Sequence, residues 1–174
     1  MLYHFSEESD IKRFSPRPQK AYPDLQPVVF AIHEEKAVHY YFPRDCPRVI
    51  YWKADWSSEE DIQRFFSDST VNKIIAVEND WLDRIRNTQL YRYTFAEDSF
   101  KLLDEASTAG YYISYDEVEP LRVERVSDLI GQIVENAVEL RFTPNLYPLR
   151  DRIITSTIDY SIIRFRNASR YSMQ

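Results

Sequence analysis

Glycine is nearly absent from this chain, because Gly110 and Gly131 are the only two among 174 residues. A dinucleotide-binding fingerprint needs three closely spaced glycines, and a phosphate-binding P-loop needs a Gly-Lys step. Two glycines that are 21 residues apart can form neither motif. The composition therefore argues against Rossmann and P-loop nucleotide chemistry.

Cysteine is rarer still, and long apolar runs are missing. Cys46 is the single cysteine, so no intrachain disulfide can form and nothing indicates an oxidising compartment. No stretch approaches the ~18 apolar residues that a membrane helix needs. Glu7, Glu8 and Asp10 interrupt the N-terminal region before a signal peptide could form. We therefore expect a cytoplasmic protein without a membrane segment.

Positive charge is also in deficit, with 22 basic against 28 acidic residues and a net charge of −6. Binding to a phosphate backbone requires a basic face, so the composition argues against duplex nucleic acid as a partner. The acidic residues concentrate in residues 55–119, whereas arginines accumulate near the C-terminus. An anionic small molecule is therefore a candidate partner, a partner protein is the alternative, and the oligomeric state is left open.

The hydrophobic residues, 44% of the chain, and the aromatic residues, 15%, are sufficient for a packed core. The length suits one core, and we expect residues 1–174 to form a single globular domain. Short β-prone segments alternate irregularly with amphipathic ones, which predicts an α+β fold with a mixed, mostly antiparallel sheet and interspersed helices. The predicted strands cover residues 2–5, 28–32, 49–54, 74–77, 90–95, 111–118, 138–143 and 158–166.

The first strand is predicted to be central enough in the sheet to bury Tyr3 and Phe5. Ser57 and Ser58 precede acidic residues and an apolar stripe, a pattern typical of a capped helix start. Gly110 stands where a C-terminal cap would follow a helix. The predicted helices cover residues 34–42, 80–86, 97–109 and 148–155, with two more beginning near residues 57 and 127.

The histidines are too few and too far apart for a convincing metal site. His33 is followed by two glutamates, as in a zinc-protease helix, but the second histidine would have to stand at Ala37. His39 is six residues on, about 240° around a helix, so it cannot share a face with His33. With only His4 remaining, we predict no metal site and two surface histidines.

Cys46 lies between Arg44 and Arg48, whose charges would lower the pKa of a thiol and favour a nucleophilic thiolate. A cysteine-phosphatase loop, however, needs an arginine six positions after the cysteine, and Trp52 stands there. Single cysteines usually pack as small hydrophobic residues. We favour a structural role and keep the reactive thiol as the alternative.

Glu117 and Glu119 are two residues apart near the end of a predicted strand, so their side chains point the same way. Such carboxylates suit a general base or a ligand for a hydroxyl group, and solvated edge residues are the alternative.

Arg164 and Arg166 share one face of the last predicted strand. Arginine binds phosphate through two hydrogen bonds, so these two residues suit an anion site. The alternative is that they pair with acidic residues in the middle of the chain.

Three motifs and one apolar strand together resemble an uncharacterised bacterial family that is catalogued as a domain of unknown function. The motifs read LYHFS at residues 2–6, FPRDCPR at residues 42–48 and RFRNA at residues 164–168, and the strand reads VFAI at residues 29–32. The resemblance covers nearly the whole chain. It implies no activity.

A second set of residues is similar to the ADP-ribosyltransferase-like folds, which bind NAD without glycine-rich loops. The set comprises a strand bearing Tyr3 and His4, a strand that leads into an Ala-x-x-Tyr helix at residues 37–40, and a late glutamate. The Ser-Thr-Ser strand of many such enzymes is absent. The resemblance implies a transferase that acts on NAD, and the alternative is a non-catalytic module that binds an anionic ligand or a partner protein.

The same resemblance assigns roles to particular side chains. It implies that His4 bonds the adenosine ribose and that Tyr40 or Tyr41 stacks on nicotinamide. It implies that Glu117 or Glu119 holds the other ribose and stabilises the oxocarbenium-like transition state. The arginines, Arg164 and Arg166 among them, become candidates for the pyrophosphate. Plain core packing of the two tyrosines is the alternative.

Overall fold

The computed structural model describes residues 1–103 and 110–170. By their internal contacts, the residues form two compact units, each assembled from two separate stretches of chain. The first unit comprises Met1–Tyr41 and Gln89–Ser127, and the second comprises Phe42–Thr88 and Asp128–Gln174. The prediction of one globular domain over residues 1–174 stays a prediction.

Strands and short helices alternate along the described part of the chain. The strands are β1 (Leu2–Ser6), β2 (Val29–His33), β3 (Arg48–Trp52), β4 (Lys73–Glu78), β5 (Leu90–Phe95), β6 (Lys101–Leu102), β7 (Tyr111–Ser114), β8 (Arg122–Val126), β9 (Val138–Thr143) and β10 (Asp159–Ile163). The α-helices are α1 (Glu59–Phe66), α2 (Leu82–Asn87), α3 (Leu129–Glu135) and α4 (Tyr147–Ile153). Short 3₁₀ helices cover Glu34–Tyr40, Asn79–Trp81, Glu97–Ser99 and Phe165–Asn167.

The first unit contains a six-stranded antiparallel sheet in the order β6-β7-β2-β1-β5-β8. Strand β1 lies in its interior, where Leu2 faces His33 of β2 and Phe95 of β5. This confirms that the first strand is central. Tyr3 is buried as predicted, and Phe5 is half-buried.

One face of this sheet carries a hydrophobic core of the first unit. Alternate residues of neighbouring strands point to the same face, so Leu2 and His4 share a face with Tyr93 and Phe95. The hydroxyl of Tyr93 donates to the carbonyl of Glu8 at 2.7 Å and accepts from the amide of Ile11 at 3.2 Å. These bonds fix the segment after β1 over the core. The buried members of this core are Leu2, Val29, Ala31, Tyr93, Phe95 and Val118.

The second unit contains a four-stranded sheet in the order β10-β3-β4-β9. Its pairs are antiparallel except β4–β9, which is parallel. All five residues of β3 are buried. As predicted, Ser58 caps α1, because its side chain accepts from the amide of Asp61, and Phe65 and Phe66 of that helix are buried in the core.

The two sheets confirm the predicted α+β class with mixed, mostly antiparallel pairing. The predicted helix over residues 97–109 is wrong in its described part, which forms a 3₁₀ turn and the short strand β6. Pairing of β6 with Tyr112 and Ile113, and packing of Phe100 on Phe95 at 5.3 Å, outweigh the helical propensity there. Residues 104–109 lie outside the described residues. No helix in residues 1–103 and 110–170 is long and apolar enough to cross a membrane.

Candidate functional site

His4 lies on the core face of β1 in the first unit. Its Nδ1 is 3.2 Å from the carbonyl oxygen of Phe30, and its ring centroid is 4.9 Å from that of Phe14. Phe14 in turn packs edge-on against Tyr93 and Phe95. The imidazole is thus a half-buried neighbour of an aromatic core.

Tyr40 and Tyr41 end the first 3₁₀ helix and contact Phe5. The ring of Tyr40 is stacked with that of Phe5 at 6.4 Å between centroids, and Tyr41 meets Phe5 edge-on at 5.4 Å. The hydroxyl of Tyr40 donates to that of Tyr111 at 2.9 Å. Since His4 and Phe5 are consecutive strand residues, their side chains lie on opposite faces of the sheet. The structure therefore does not bring His4 and the two tyrosines together on one face.

Glu117 and Glu119 flank Val118, whose backbone pairs with that of Phe14. Phe14 and Val118 contribute to the core, so the flanking side chains point outward. Arg13 bonds Glu119 at 2.9 Å and lies 3.5 Å from Glu117. Both carboxylates are exposed and ion-paired with one arginine, and the hydrogen bond that Arg13 donates to Glu119 raises the pKa of Arg13. This arrangement corresponds to the alternative in which the two glutamates are solvated residues at the edge of the fold.

Arg164 and Arg166 belong to the second unit, beyond the end of β10 at Ile163. Because the last predicted strand ends early, the two arginines do not share a strand face. Arg164 has left-handed backbone angles, φ 54° and ψ 26°, and begins the 3₁₀ turn that contains Arg166. The Nε of Arg164 donates to the carbonyl of Arg44 at 3.1 Å, and the side-chain amide Nδ2 of Asn167 donates to the carbonyl of Asp45 at 2.8 Å.

These bonds join two of the motifs found in the sequence, FPRDCPR and RFRNA. We call the three arginines of these two joined segments, Arg44, Arg164 and Arg166, the arginine cluster. Beside it, the buried carboxylate of Glu78, at the end of β4, accepts from the amide of Ser169 at 3.0 and 3.1 Å and from its hydroxyl at 3.3 Å. Glu78 was missed in the sequence, where it reads only as the charged residue after an apolar run.

Cys46 lies inside the loop of the FPRDCPR motif and is fully buried. Burial is the main cause that raises the pKa of its thiol to about 12, against the opposing charges of Arg48 and Arg84. Arg48 is buried as well, and its guanidinium donates to the carbonyl of Cys46 at 2.8 Å and lies over the ring of Phe42. The geometry supports a structural thiol.

The other two histidines do not form a metal site with their neighbours. No cluster of three or more histidine, cysteine, aspartate or glutamate side chains suited to a metal occurs among the described residues. His33 is half-buried and lies 3.6 Å from Glu35. His39 is buried, so the prediction of a surface position for it is wrong. Neighbouring residues of the 3₁₀ helix, Ala37 and Val38, are buried beside it.

The described structure is that of an α+β protein whose second unit carries an arginine-bearing loop tied to an arginine-bearing turn. The chain belongs to a family of unknown function, DUF6886, whose model matches residues 3–168. No curated protein and no solved structure matches the chain. The predicted membership of a family of unknown function is thus confirmed, whereas the similarity to ADP-ribosyltransferase-like folds is not shown.

Proposed function

We propose that this protein is a non-catalytic module that binds a small anionic ligand at the arginine cluster. One observation carries the proposal: the hydrogen bond from Arg164 Nε to the carbonyl of Arg44 holds two arginine-bearing segments together. A bacterial, cytoplasmic setting is part of the proposal, because the chain has a single cysteine and resembles a bacterial family.

The chemistry of the cluster suits a phosphate or a carboxylate. Guanidinium groups bind such anions through two parallel, charge-assisted hydrogen bonds. Arg44 and Arg166 are exposed, and residues 160–170 contain three arginines and no acidic residue. Asp45 is exposed beside Arg44, and Asn167 ties its backbone to the same turn. Two hydrogen bonds therefore hold the arginine-bearing loop against the arginine-bearing turn.

The backbone of Arg164 gives further support. A left-handed conformation costs a residue with a Cβ atom about 1 kcal/mol, and such strain clusters at functional positions. Here the conformation directs Nε of Arg164 onto the 43–48 loop. A ligand-binding role explains why arginine, and not glycine, occupies this position.

We expect calorimetric titration with pyrophosphate to detect binding to the parent protein. Replacing both Arg164 and Arg166 by Gln should weaken that binding about tenfold or more, because charge-assisted hydrogen bonds are lost. Arg17→Gln, which removes an exposed arginine of the first unit, is the matched control and should leave the affinity unchanged. Equal weakening by the control, or no heat at millimolar pyrophosphate, would contradict the proposal.

Titration with NAD in the same experiment separates this function from NAD-dependent transfer. We expect NAD to bind no more tightly than pyrophosphate and to release no nicotinamide, since His4 lies across the sheet from Tyr40 and Tyr41. Release of nicotinamide that is abolished by Glu117→Gln or Glu119→Gln would favour the transferase instead.

Substitutions at Arg164 alone should separate backbone strain from side-chain function. We expect Arg164→Gly to be more stable than Arg164→Ala by about 1 kcal/mol, because only glycine adopts a positive φ without strain. Urea unfolding measures this difference. Both variants lack the guanidinium and should bind pyrophosphate equally weakly. An alanine variant as stable as the glycine variant would show that the left-handed backbone stores no strain.

A further inference from the structure

Strand β8 forms an edge of the six-stranded sheet in the first unit. It pairs with β5 on one side, and within residues 1–103 and 110–170 no strand pairs with its other side. Val123 is 45% exposed and the preceding Leu121 is 66% exposed. An open edge presents unpaired backbone N–H and C=O groups, which a further strand can bind.

We propose that β8 pairs antiparallel with β8 of a second copy of this chain, about a two-fold axis at Val123. Outward-pointing backbone groups alternate along a strand, so two copies of one strand pair symmetrically about a residue. An axis at Arg122 or at Glu124 would oppose identical charges. An axis at Val123 instead opposes Arg122 to Glu124 of the second copy and packs Val123 against itself.

The charges around β8 favour this register. Glu124 already bonds Arg92 on β5 at 3.0 Å, and Arg122 lies 3.2 Å from it along the strand. In the dimer, Glu124 would lie between Arg92 of its own chain and Arg122 of the second copy. Across the new strand pair, Arg122 of each copy would then lie opposite Glu124 of the other copy. The six-stranded sheets of the two copies would become continuous.

A groove beside β8 accommodates the end of the incoming strand. It has a volume of about 340 Å³, and its wall includes the acidic residues Asp10 and Glu119 together with the basic residues Lys12 and Arg122. In the proposed register, Leu121 faces Arg125 of the second copy. The aliphatic part of that arginine would cover Leu121, while its guanidinium would stay in water at the mouth of the groove. The exposed apolar side chain at this end of the edge is therefore covered.

Sedimentation equilibrium on the full chain tests the dimer. We expect Val123→Asp to raise the dimer dissociation constant at least about tenfold, because two carboxylates would meet at the axis. Val134→Asp is the matched control, since Val134 is 60% exposed on α3 of the second unit, and should have no effect. A parent protein that is monomeric at about 0.5 mM would overturn the proposal, as would a dimer insensitive to Val123→Asp.

Charge reversal tests the register itself. Arg122→Glu alone should oppose two glutamates, Glu124→Arg alone should oppose two arginines, and each should weaken self-association about tenfold. An equimolar mixture of the two variants should dimerise again, because every opposed pair is then of unlike charge. A mixture that stays monomeric while both variants are folded by circular dichroism would exclude this register.

Hydrogen exchange on the unmodified protein covers the case in which a variant does not fold. Amide protection of residues 121–125 that is lost on dilution would support the proposed edge pairing. Protection independent of concentration would contradict it. Substitutions in the arginine cluster should not alter the dimer, so this inference and the proposed anion binding can fail separately.

Discussion

Cys46 in the native protein is expected to react with iodoacetamide at pH 8 roughly a thousandfold more slowly than in the unfolded chain. Alkylation proceeds through the thiolate, whose fraction falls tenfold for each unit by which the pKa rises. Burial raises the pKa of this thiol from 9.0 to about 12, although Arg48 and Arg84 favour the thiolate. The fully buried side chain also excludes the reagent. Mass spectrometry of quenched time points measures the two rates.

A variant with a second, exposed thiol provides the internal control for this rate. Ser99→Cys places a thiol on the exposed turn before β6, where it should be labelled at the rate of an ordinary cysteine. Cys46 in the same molecule should remain unmodified. If Cys46 were labelled as fast as the introduced thiol, the nucleophile alternative would return.

The free energy of unfolding is expected to fall steeply above pH 9, and Cys46→Ala should remove much of that dependence. The pKa of the thiol is raised on folding, so its contribution to stability is complete below pH 9 and is lost as the pH rises toward about 12. The loss amounts to about 1.4 kcal/mol per pH unit, or about 2 kcal/mol by pH 10.5. Urea unfolding at pH 8 and at pH 10.5 provides the measurement.

The order of stability of parent and variant should therefore reverse. At pH 8 the loss of the buried sulfur costs Cys46→Ala about 1 kcal/mol, whereas at pH 10.5 the variant should be the more stable protein. A difference that stays constant between the two pH values would contradict the raised pKa. Val134→Ala is the matched control, because Val134 is 60% exposed and carries no titratable group, and should not change the slope.

Tyr51 should add a second alkaline contribution at higher pH. Burial raises the pKa of its hydroxyl from 10.0 to about 12, and Arg141 donates to that oxygen at 3.1 Å. Its stabilising effect is complete below pH 10 and decreases above it. Tyr51→Phe should therefore flatten the stability profile only above pH 10, which distinguishes its contribution from that of Cys46.

Local sequence patterns predicted much of the secondary structure, because they report local interactions. The serine cap of α1 satisfies an amide three residues away, and a predicted strand such as residues 138–143 coincides with β9. The prediction of a helix is wrong over residues 97–103, because residues 101–102 pair as a strand with β7. Strand β8 was missed because an exposed edge strand lacks the apolar alternation by which buried strands are recognised.

The candidate site was predicted in its residue types and not in its geometry. Arg164 and Arg166 are candidates for anion binding by residue type alone, yet their turn and its bond to Arg44 depend on a contact 120 residues apart in the chain. His4, Tyr40 and Tyr41 were expected in one cleft. The two tyrosines instead contact Phe5, whose side chain lies on the opposite face of β1 from that of His4. Which segment packs on each face of β1 depends on the tertiary structure.

Composition and local spacing are enough to establish the α+β class, the family and the exclusion of glycine-rich nucleotide motifs. Which charges are paired and which are exposed depends on contacts between residues far apart in the chain. Arg13 pairs with both Glu117 and Glu119, and burial raises the pKa of Cys46 although arginines flank it. Burial and distant partners set the charge state of a side chain, and neither is encoded in its immediate neighbours.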